Sequence, residues 1–204
     1  MNQYVSILKR SMDIIFSIIG LLLSLPLWPL IVLAIKLESS GPVLFFQERV
    51  GLCGRRIRMI KFRTMFIDAE KETGPVWATE NDRRVTMVGA FLRRTRLDEI
   101  PQLVNVLKGD MSMVGPRPER SFFVDKFATQ IPFYEERIMD VKPGITGLAQ
   151  IYSGYDTSID SVKEKLIYDH GYGASLTRLG SFLRTDLSIL LATIIVVFTG
   201  KGAK

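Results

Sequence analysis

One cysteine and one histidine among 204 residues remove several kinds of chemistry at once. Cys53 alone cannot close an internal disulfide, so a disulfide-stapled scaffold is excluded. His170 alone cannot supply the two imidazoles of an HExxH zinc helix, and Cys/His zinc clusters fall with it. Glycine (16) and proline (9) are ordinary and aromatics reach 10%, which excludes collagen-like and disordered chains. Chemistry must therefore rest on carboxylates, lysines, arginines and hydroxyls. What is present is an unusual pairing, a net charge of +6 with a mean hydropathy of +0.19. Basic proteins of this size are usually polar nucleic-acid binders, whereas chains this apolar usually carry modest charge. The length suits one compact domain.

The apolar content is concentrated. Ile14 to Ile35 is uncharged over 22 residues, about 33 Å as a helix against a hydrocarbon core of ~30 Å. It is too long for a secretory h-region and no small-residue cleavage site follows, so it reads as retained. Ser24-Leu25-Pro26 and Pro29 interrupt it near the middle, where each proline removes a backbone donor. Lys9 and Arg10 precede it, while Lys36, Arg49, Arg55 and Arg56 follow, so the positive-inside bias draws both ends to the cytoplasm. A broken helix that enters one leaflet and returns, and a kinked single-pass helix, both remain open. A second uncharged run, Leu187 to Thr199, has 13 residues and suits a buried or interfacial helix.

The positive excess is concentrated too. Arg49 to Arg63 holds six basic residues and no acid, and Arg83 to Arg96 holds five more. For most of them the simple reading is a solvated surface beside anionic headgroups. Nucleic acid is not an expected partner, because no helix-turn-helix, zinc-finger or aromatic RNA-binding signature accompanies the charge. Val43 to Val50 and Ile57 to Met65, separated by Gly51-Leu52-Cys53-Gly54, read as a β-hairpin. Asp68 to Glu80 reads as a loop. Glu119 to Gln130 and Ile131 to Ile138 carry Phe122, Phe123, Phe127, Phe133 and Tyr134, which suits either core or interfacial helices.

The most informative stretch runs from Arg93 to Asp110. Ile100, Leu103, Val104 and Leu107 follow helical spacing, Pro101 fits a first turn and Gly109 a C-terminal stop, so the pattern predicts a helix beginning near Asp98. Asp98 and Glu99 would then stand at its amino end behind Arg93, Arg94 and Arg96. Backbone donors and guanidinium groups make an anion site, two carboxylates a hard-cation site, and both suit a magnesium-bound diphosphate. A plain N-cap explains an isolated Asp-Glu pair equally well. Downstream, Pro116-Arg117-Pro118 places an arginine on backbone stiffened from both sides, as bidentate phosphate recognition favours.

Five motifs occur in order: Lys61-Phe62-Arg63-Thr64-Met65, Arg96-Leu97-Asp98-Glu99-Ile100-Pro101-Gln102-Leu103, Asn105 to Ser112, Gly115-Pro116-Arg117-Pro118-Glu119-Arg120 and Lys142-Pro143-Gly144-Ile145-Thr146-Gly147-Leu148-Ala149-Gln150. Together they resemble the bacterial sugar transferases, the monotopic phosphoglycosyl transferases, over nearly the whole chain. The resemblance implies an α+β fold, mainly helical, with a short hairpin and a re-entrant helix at residues 1–38 broken at Ser24 and Pro26, and a catalytic domain at 39–204. It implies transfer of a sugar 1-phosphate from a nucleoside diphosphate sugar, a UDP-sugar by family habit, to polyprenyl phosphate at the cytoplasmic face of the bacterial inner membrane. Asp98 would be the nucleophile of a covalent phospho-aspartyl intermediate. Glu99, with Asp98, would hold Mg²⁺, and Arg117, Arg93, Lys61 and Asp110 are candidates for phosphate contacts. Lys142, Thr146 and Gln150 match a motif without an assigned role. Two departures bear on sugar preference: Ile151-Tyr152-Ser153-Gly154-Tyr155 follows the Ala-Gln strand where the family often has Asn, and His170 to Gly180 is Gly-rich. Larger members carry additional N-terminal transmembrane helices, so the chain looks like a minimal catalytic unit. A metal-dependent phosphodiester hydrolase and a non-catalytic basic membrane scaffold are the competing readings.

Overall fold

The computed structural model describes residues 2–71, 74–77, 82–153 and 158–199. Helix α1 (Gln3–Ser24) passes through a 3-10 turn at Leu25–Leu27 into α2 (Trp28–Glu38), so the break falls at the two prolines. Ser24 sits at the joint. Its hydroxyl donates to the Leu21 carbonyl at 3.0 Å and accepts the Trp28 indole N–H at 3.2 Å, linking the two helices across the break.

One face of α1 is buried at Val5, Lys9, Asp13, Ser17 and Ser24, mostly every fourth position, and Gly20 lies on the same face against Leu103. Its polar members bond distant backbone: Lys9 Nζ donates to the Val114 carbonyl at 3.0 Å and pairs with Asp186 at 2.8 Å. Arg10 donates to the Val106 and Leu107 carbonyls, and Asp13 accepts from Ser112 Oγ and the Met113 amide. The far end of the segment docks as well. Ile31 and Ile35 of α2 pack against Phe62 and Leu92, and the Glu38 carboxylate accepts the Met87 and Val88 amides. Between the docked ends, Leu22, Leu23, Leu25, Leu27, Leu30 and Leu33 are exposed.

Strands β1 (Leu44–Val50) and β2 (Arg56–Phe62) form the expected antiparallel hairpin, Leu44 opposite Phe62 and Val50 opposite Arg56. The turn holds Cys53 at φ +53°. The second strand stops three residues before Met65, which pairs instead with Val85. Within the predicted loop, 68–71 form turns, while 72–73 and 78–80 lie outside the described residues. Helix α3 (Met87–Arg94) is capped by Thr86, whose hydroxyl accepts the Gly89 amide at 2.9 Å. Helix α4 (Gln102–Lys108) ends at Gly109, φ +87°.

Strand β3 (Ser112–Val114) pairs in parallel with β4 (Gly144–Thr146), Ser112 opposite Gly144 and Val114 opposite Thr146. Three-residue strands carry too few positions for alternation to be read, so sequence patterning gave no sign of this pair. Between them lie α5 (Ser121–Ala128) and a 3-10 turn at Tyr134–Ile138. Phe123, Phe127, Tyr134 and Ile138 enter the core, as one of the two readings expects, while Phe122 and Phe133 are exposed. Helix α6 (Leu148–Tyr152) corrects the supposed Ala-Gln strand, because the chain leaves β4 at Gly147 and coils immediately. Helix α7 (Ile159–Ser175) takes in His170 to Ser175, so those glycines are helical.

Helix α8 (Leu179–Thr199) is longer than its uncharged run, extending back through Arg184 and through Asp186, which pairs with Lys9. The segments Gln3–Glu38 and Leu179–Val197 are both long and apolar enough to cross a membrane, with mean hydropathy 2.5 and 1.7. Several basic residues are not the solvated charges expected of them. Arg63 is buried and donates to the Ser39 and Ser40 carbonyls, and Arg84 is half-buried and pairs with Asp82, whereas Arg58 is exposed with its guanidinium 4.0 Å from the Phe46 ring centroid. Their stems and donors are used to join segments.

A methyl group on Gly89 would overlap the Thr64 carbonyl, so α3 must shift to admit a side chain. Gly89→Ala is expected to destabilise the fold by about 1–3 kcal/mol, lowering the midpoint of a thermal melt by several degrees. An unchanged midpoint would refute that close approach.

Candidate active site

Arg96 adopts a left-handed conformation, φ +58°, and turns the chain into a 3-10 turn at Leu97–Glu99. Such a residue costs roughly 1–3 kcal/mol, a burden that functional sites commonly carry. The helix expected from Asp98 begins only at Gln102. Pro101 has no amide to bond back to Leu97, and the Ile100, Leu103 and Val104 amides all bond three residues back. The carboxylates therefore precede α4 and are not held by helix-end amides. Cations hold them instead.

Lys61 on β2 places Nζ 2.6 Å from Glu99 Oε1 and 3.7 Å from Asp98 Oδ2. Arg117 reaches the same Glu99 oxygen at 3.4 Å. Arg93 of α3 donates to Thr64 Oγ1 at 2.9 Å and exerts its charge on Asp98. Four of the expected residues besides Arg93 thus converge: Asp98, Glu99, Lys61 and Arg117. Asp110 does not. It lies past Gly109 at the opposite end of α4, about 10 Å of helix away, where it acts on Lys142 together with Arg10 and Asp13.

The two carboxylates are tuned apart. Burial pushes the Asp98 carboxyl above the ordinary aspartate range, with Glu99 reinforcing and Lys61 opposing it. Burial works in the same direction on Glu99, but Lys61, Arg117 and Arg96 outweigh it and hold that carboxyl well below the usual glutamate range. The pair combines a firmly ionised Glu99 with a more basic, desolvated Asp98.

Glu99 and Arg117 open onto a cavity of about 600 Å³. Asp98 is not among its lining residues, being 5% exposed beside Glu99. The opposite wall comes from Thr193, Val196 and Val197 of α8. Thr146 and Gln150 also line it: the Thr146 hydroxyl lies 2.7 Å from that of Thr193, and Gln150 Nε2 donates to the Ile145 carbonyl. Lys142 lies outside it, near Asp110.

Sequence reasoning missed two supports. Asn105, 1% exposed, accepts the Ile60 amide and donates to the Arg58 carbonyl, fastening β2 and hence Lys61 against α4. An asparagine among apolar helix positions was the available signal. Arg137 and Asp169 form a buried pair behind Arg117; their separation of 32 residues left no local pattern to notice.

The bacterial sugar transferase family profile matches residues 4–200. The chain is similar to the UDP-N-acetylgalactosamine-undecaprenyl-phosphate N-acetylgalactosaminephosphotransferase of Aeromonas hydrophila, 44% identical over 97% of the chain and 45% of that protein. It is 41% identical to the UDP-glucose:undecaprenyl-phosphate glucose-1-phosphate transferase of Escherichia coli K12, over 97% of the chain and 41% of that protein. It is 36% identical to the undecaprenyl-phosphate galactose phosphotransferase of Salmonella typhimurium LT2, over 96% of the chain and 41% of that protein. The chain spans less than half the length of these three relatives.

Lys61 is the largest influence lowering the Asp98 titration. Lys61→Met removes that cation and is expected to move the Asp98 titration to higher pH, followed by NMR of ¹³C-labelled carboxyl groups. A titration that stays in place or falls would overturn the charge balance described.

Proposed function

The chain belongs to the bacterial sugar transferase family, and on that footing we propose that it transfers a sugar 1-phosphate from a UDP-sugar to polyprenyl phosphate, undecaprenyl phosphate as in its relatives' names. The observation that carries the reading is the Asp98-Glu99 pair set among Lys61, Arg117 and Arg93, beside a cavity walled by an apolar helix. A water-soluble anionic donor and a membrane-borne anionic acceptor both need cations at such a place.

Asp98 is the nucleophile in this proposal. One of its oxygens attacks the sugar-side phosphorus, the bond from that phosphorus to the bridging oxygen breaks, and UMP departs, leaving a phospho-aspartyl sugar. An oxygen of polyprenyl phosphate then attacks the same phosphorus, the aspartyl oxygen leaves, and the carboxylate is restored with polyprenyl diphosphate sugar as product. Burial supports the role, since a carboxylate stripped of water and raised in basicity is the better nucleophile. Lys61, 3.7 Å away, favours the charged form. Arg117 and Arg93 orient the diphosphate.

Among the described residues no group of three metal-ligating side chains occurs. Two adjacent carboxylates nonetheless fit Mg²⁺, which commonly takes one or two protein carboxylates and completes its shell with substrate phosphates and water. Asp98 and Glu99 would hold it, and when bound it would offset charge on the diphosphate.

We place the site at the cytoplasmic face of the bacterial inner membrane, with residues 14–35 re-entering the leaflet they leave. Lys9, Arg10 and Asp13 at one end, and Ile35 and Glu38 at the other, are all fastened to the same body, which supports a segment that returns. The exposed leucines around the break are then the lipid-facing part.

With purified protein, Mg²⁺, labelled UDP-sugars and polyprenol phosphate, label is expected in the lipid, and Asp98→Asn is expected to abolish transfer. Label released only as free sugar phosphate would establish a hydrolase instead, and no turnover across a UDP-sugar panel would leave a membrane-anchored scaffold. For topology, cysteines placed at Gln3 and Ser40 in a chain lacking Cys53 are both expected to react from the cytoplasmic side. Reaction from opposite sides would make the segment a single crossing.

A further inference from the structure

Arg117 is held in an uneven way. Its guanidinium approaches Glu99 Oε1 at 3.4 and 3.5 Å, longer than the 2.6 Å of Lys61, and its side chain is 35% exposed. The tip thus meets Glu99 at longer range than Lys61 does. The backbone beneath it is constrained. Pro116 and Pro118 restrict rotation on either side, and the Arg117 carbonyl accepts Arg137 Nη2 at 3.0 Å.

Arg137 is itself fixed. Its Nε and Nη2 each lie 2.7 Å from Asp169 Oδ2, and Nη1 donates to the Tyr134 hydroxyl at 3.2 Å. Arg137 is 8% exposed and Asp169 3%. Three residues along α7 from Asp169, the Tyr172 hydroxyl lies 2.9 Å from Asp186 Oδ1 and 3.1 Å from the Val114 carbonyl, so the same helix also packs against the chain ahead of Pro116. A buried ion pair of this kind is weak support for stability, because apolar residues of similar size often replace one without loss. Its distinctive product here is a fixed carbonyl under a half-buried guanidinium.

We propose that the Arg137–Asp169 pair is a positioning device for Arg117, holding its backbone so that the guanidinium stays directed at Glu99 and at the diphosphate of the donor. The identity of that anion rests on the phosphotransfer reading; the clamp itself rests on the contacts that join Asp169, Arg137 and the Arg117 carbonyl. Arg137 and Asp169 act through Arg117 and are not catalytic residues in this assignment.

The test is a double-mutant cycle. Arg137→Met and Asp169→Leu are made together, so that no buried charge is orphaned, in the parent and in an Arg117→Ala background. Thermal melting, affinity for UDP by calorimetry and the transfer rate are measured for each. The paired substitution is expected to leave the melting midpoint within a few degrees of the parent while lowering UDP affinity about 10-fold and transfer about 100-fold, the size of a displacement near 1 Å. In the Arg117→Ala background it is expected to lower neither further. Equal losses in both backgrounds, or no loss with Arg117 present, would overturn the assignment. If the paired variant does not fold, Asp169→Asn is carried through the same cycle. A parent that binds UDP but transfers no sugar phosphate would overturn the phosphotransfer reading alone, and the affinity cycle would still decide the clamp.

Discussion

Two carboxylates on consecutive residues, both withdrawn from water, repel each other at short range, and the architecture around them is organised to offset that repulsion. At 3.7 Å, opposite charges in a partly buried setting interact by several kcal/mol, enough to decide whether such a pair can be ionised. The compensating cations come from separate places in the chain: Lys61 from the hairpin, Arg93 from the third helix, Arg96 from the left-handed residue before the turn and Arg117 from between two prolines. None is close to the pair by local sequence alone except Arg96 and Arg93. Hence the hairpin must be fastened to α4 through Asn105, and the Arg117 loop must be fixed from behind.

The uneven balance also explains how two similar side chains can have different tasks. Glu99 takes the direct contact with Lys61 and the approach of Arg117, so its charge is spoken for. Asp98 has the longer contact, and burial prevails over its cations, so its carboxyl is the more basic of the two. Environment, not residue type, sets the two titrations apart.

Local signals in the sequence were informative where the physics is local. The hairpin follows from apolar alternation and its Gly-Leu-Cys-Gly turn, the stop at Gly109 from a residue tolerant of positive φ, and the helix break from Pro26 and Pro29. Apolar spacing placed α4 correctly in the chain but too early, because the pattern could not register a left-handed Arg96 and 3-10 bonding before Pro101. Asp110 stands near Asp98 in sequence but at the wrong end of the helix between them. The convergence of Lys61 and Arg117 on Glu99 became legible through ordered motifs resembling a family, not through periodicity. Arg137 and Asp169 escaped altogether, since a tertiary ion pair leaves no spacing signature.

Lys9, Arg10 and Asp13 give α1 a face that only the rest of the protein can neutralise. Their partners come late: Val114 lies 105 residues after Lys9, and Asp186 lies 177 residues after it. At a synthesis rate of about 5–20 residues per second, Asp186 emerges roughly 9–35 s after Lys9. The Arg10 and Asp13 partners, at 106–113, emerge earlier, so through the whole of that interval it is Lys9 that lacks its carboxylate. A segment with such an amino end cannot sink fully into hydrocarbon on its own, because the charge would be stranded there. The seating of Lys9 must therefore wait for Asp186 of α8.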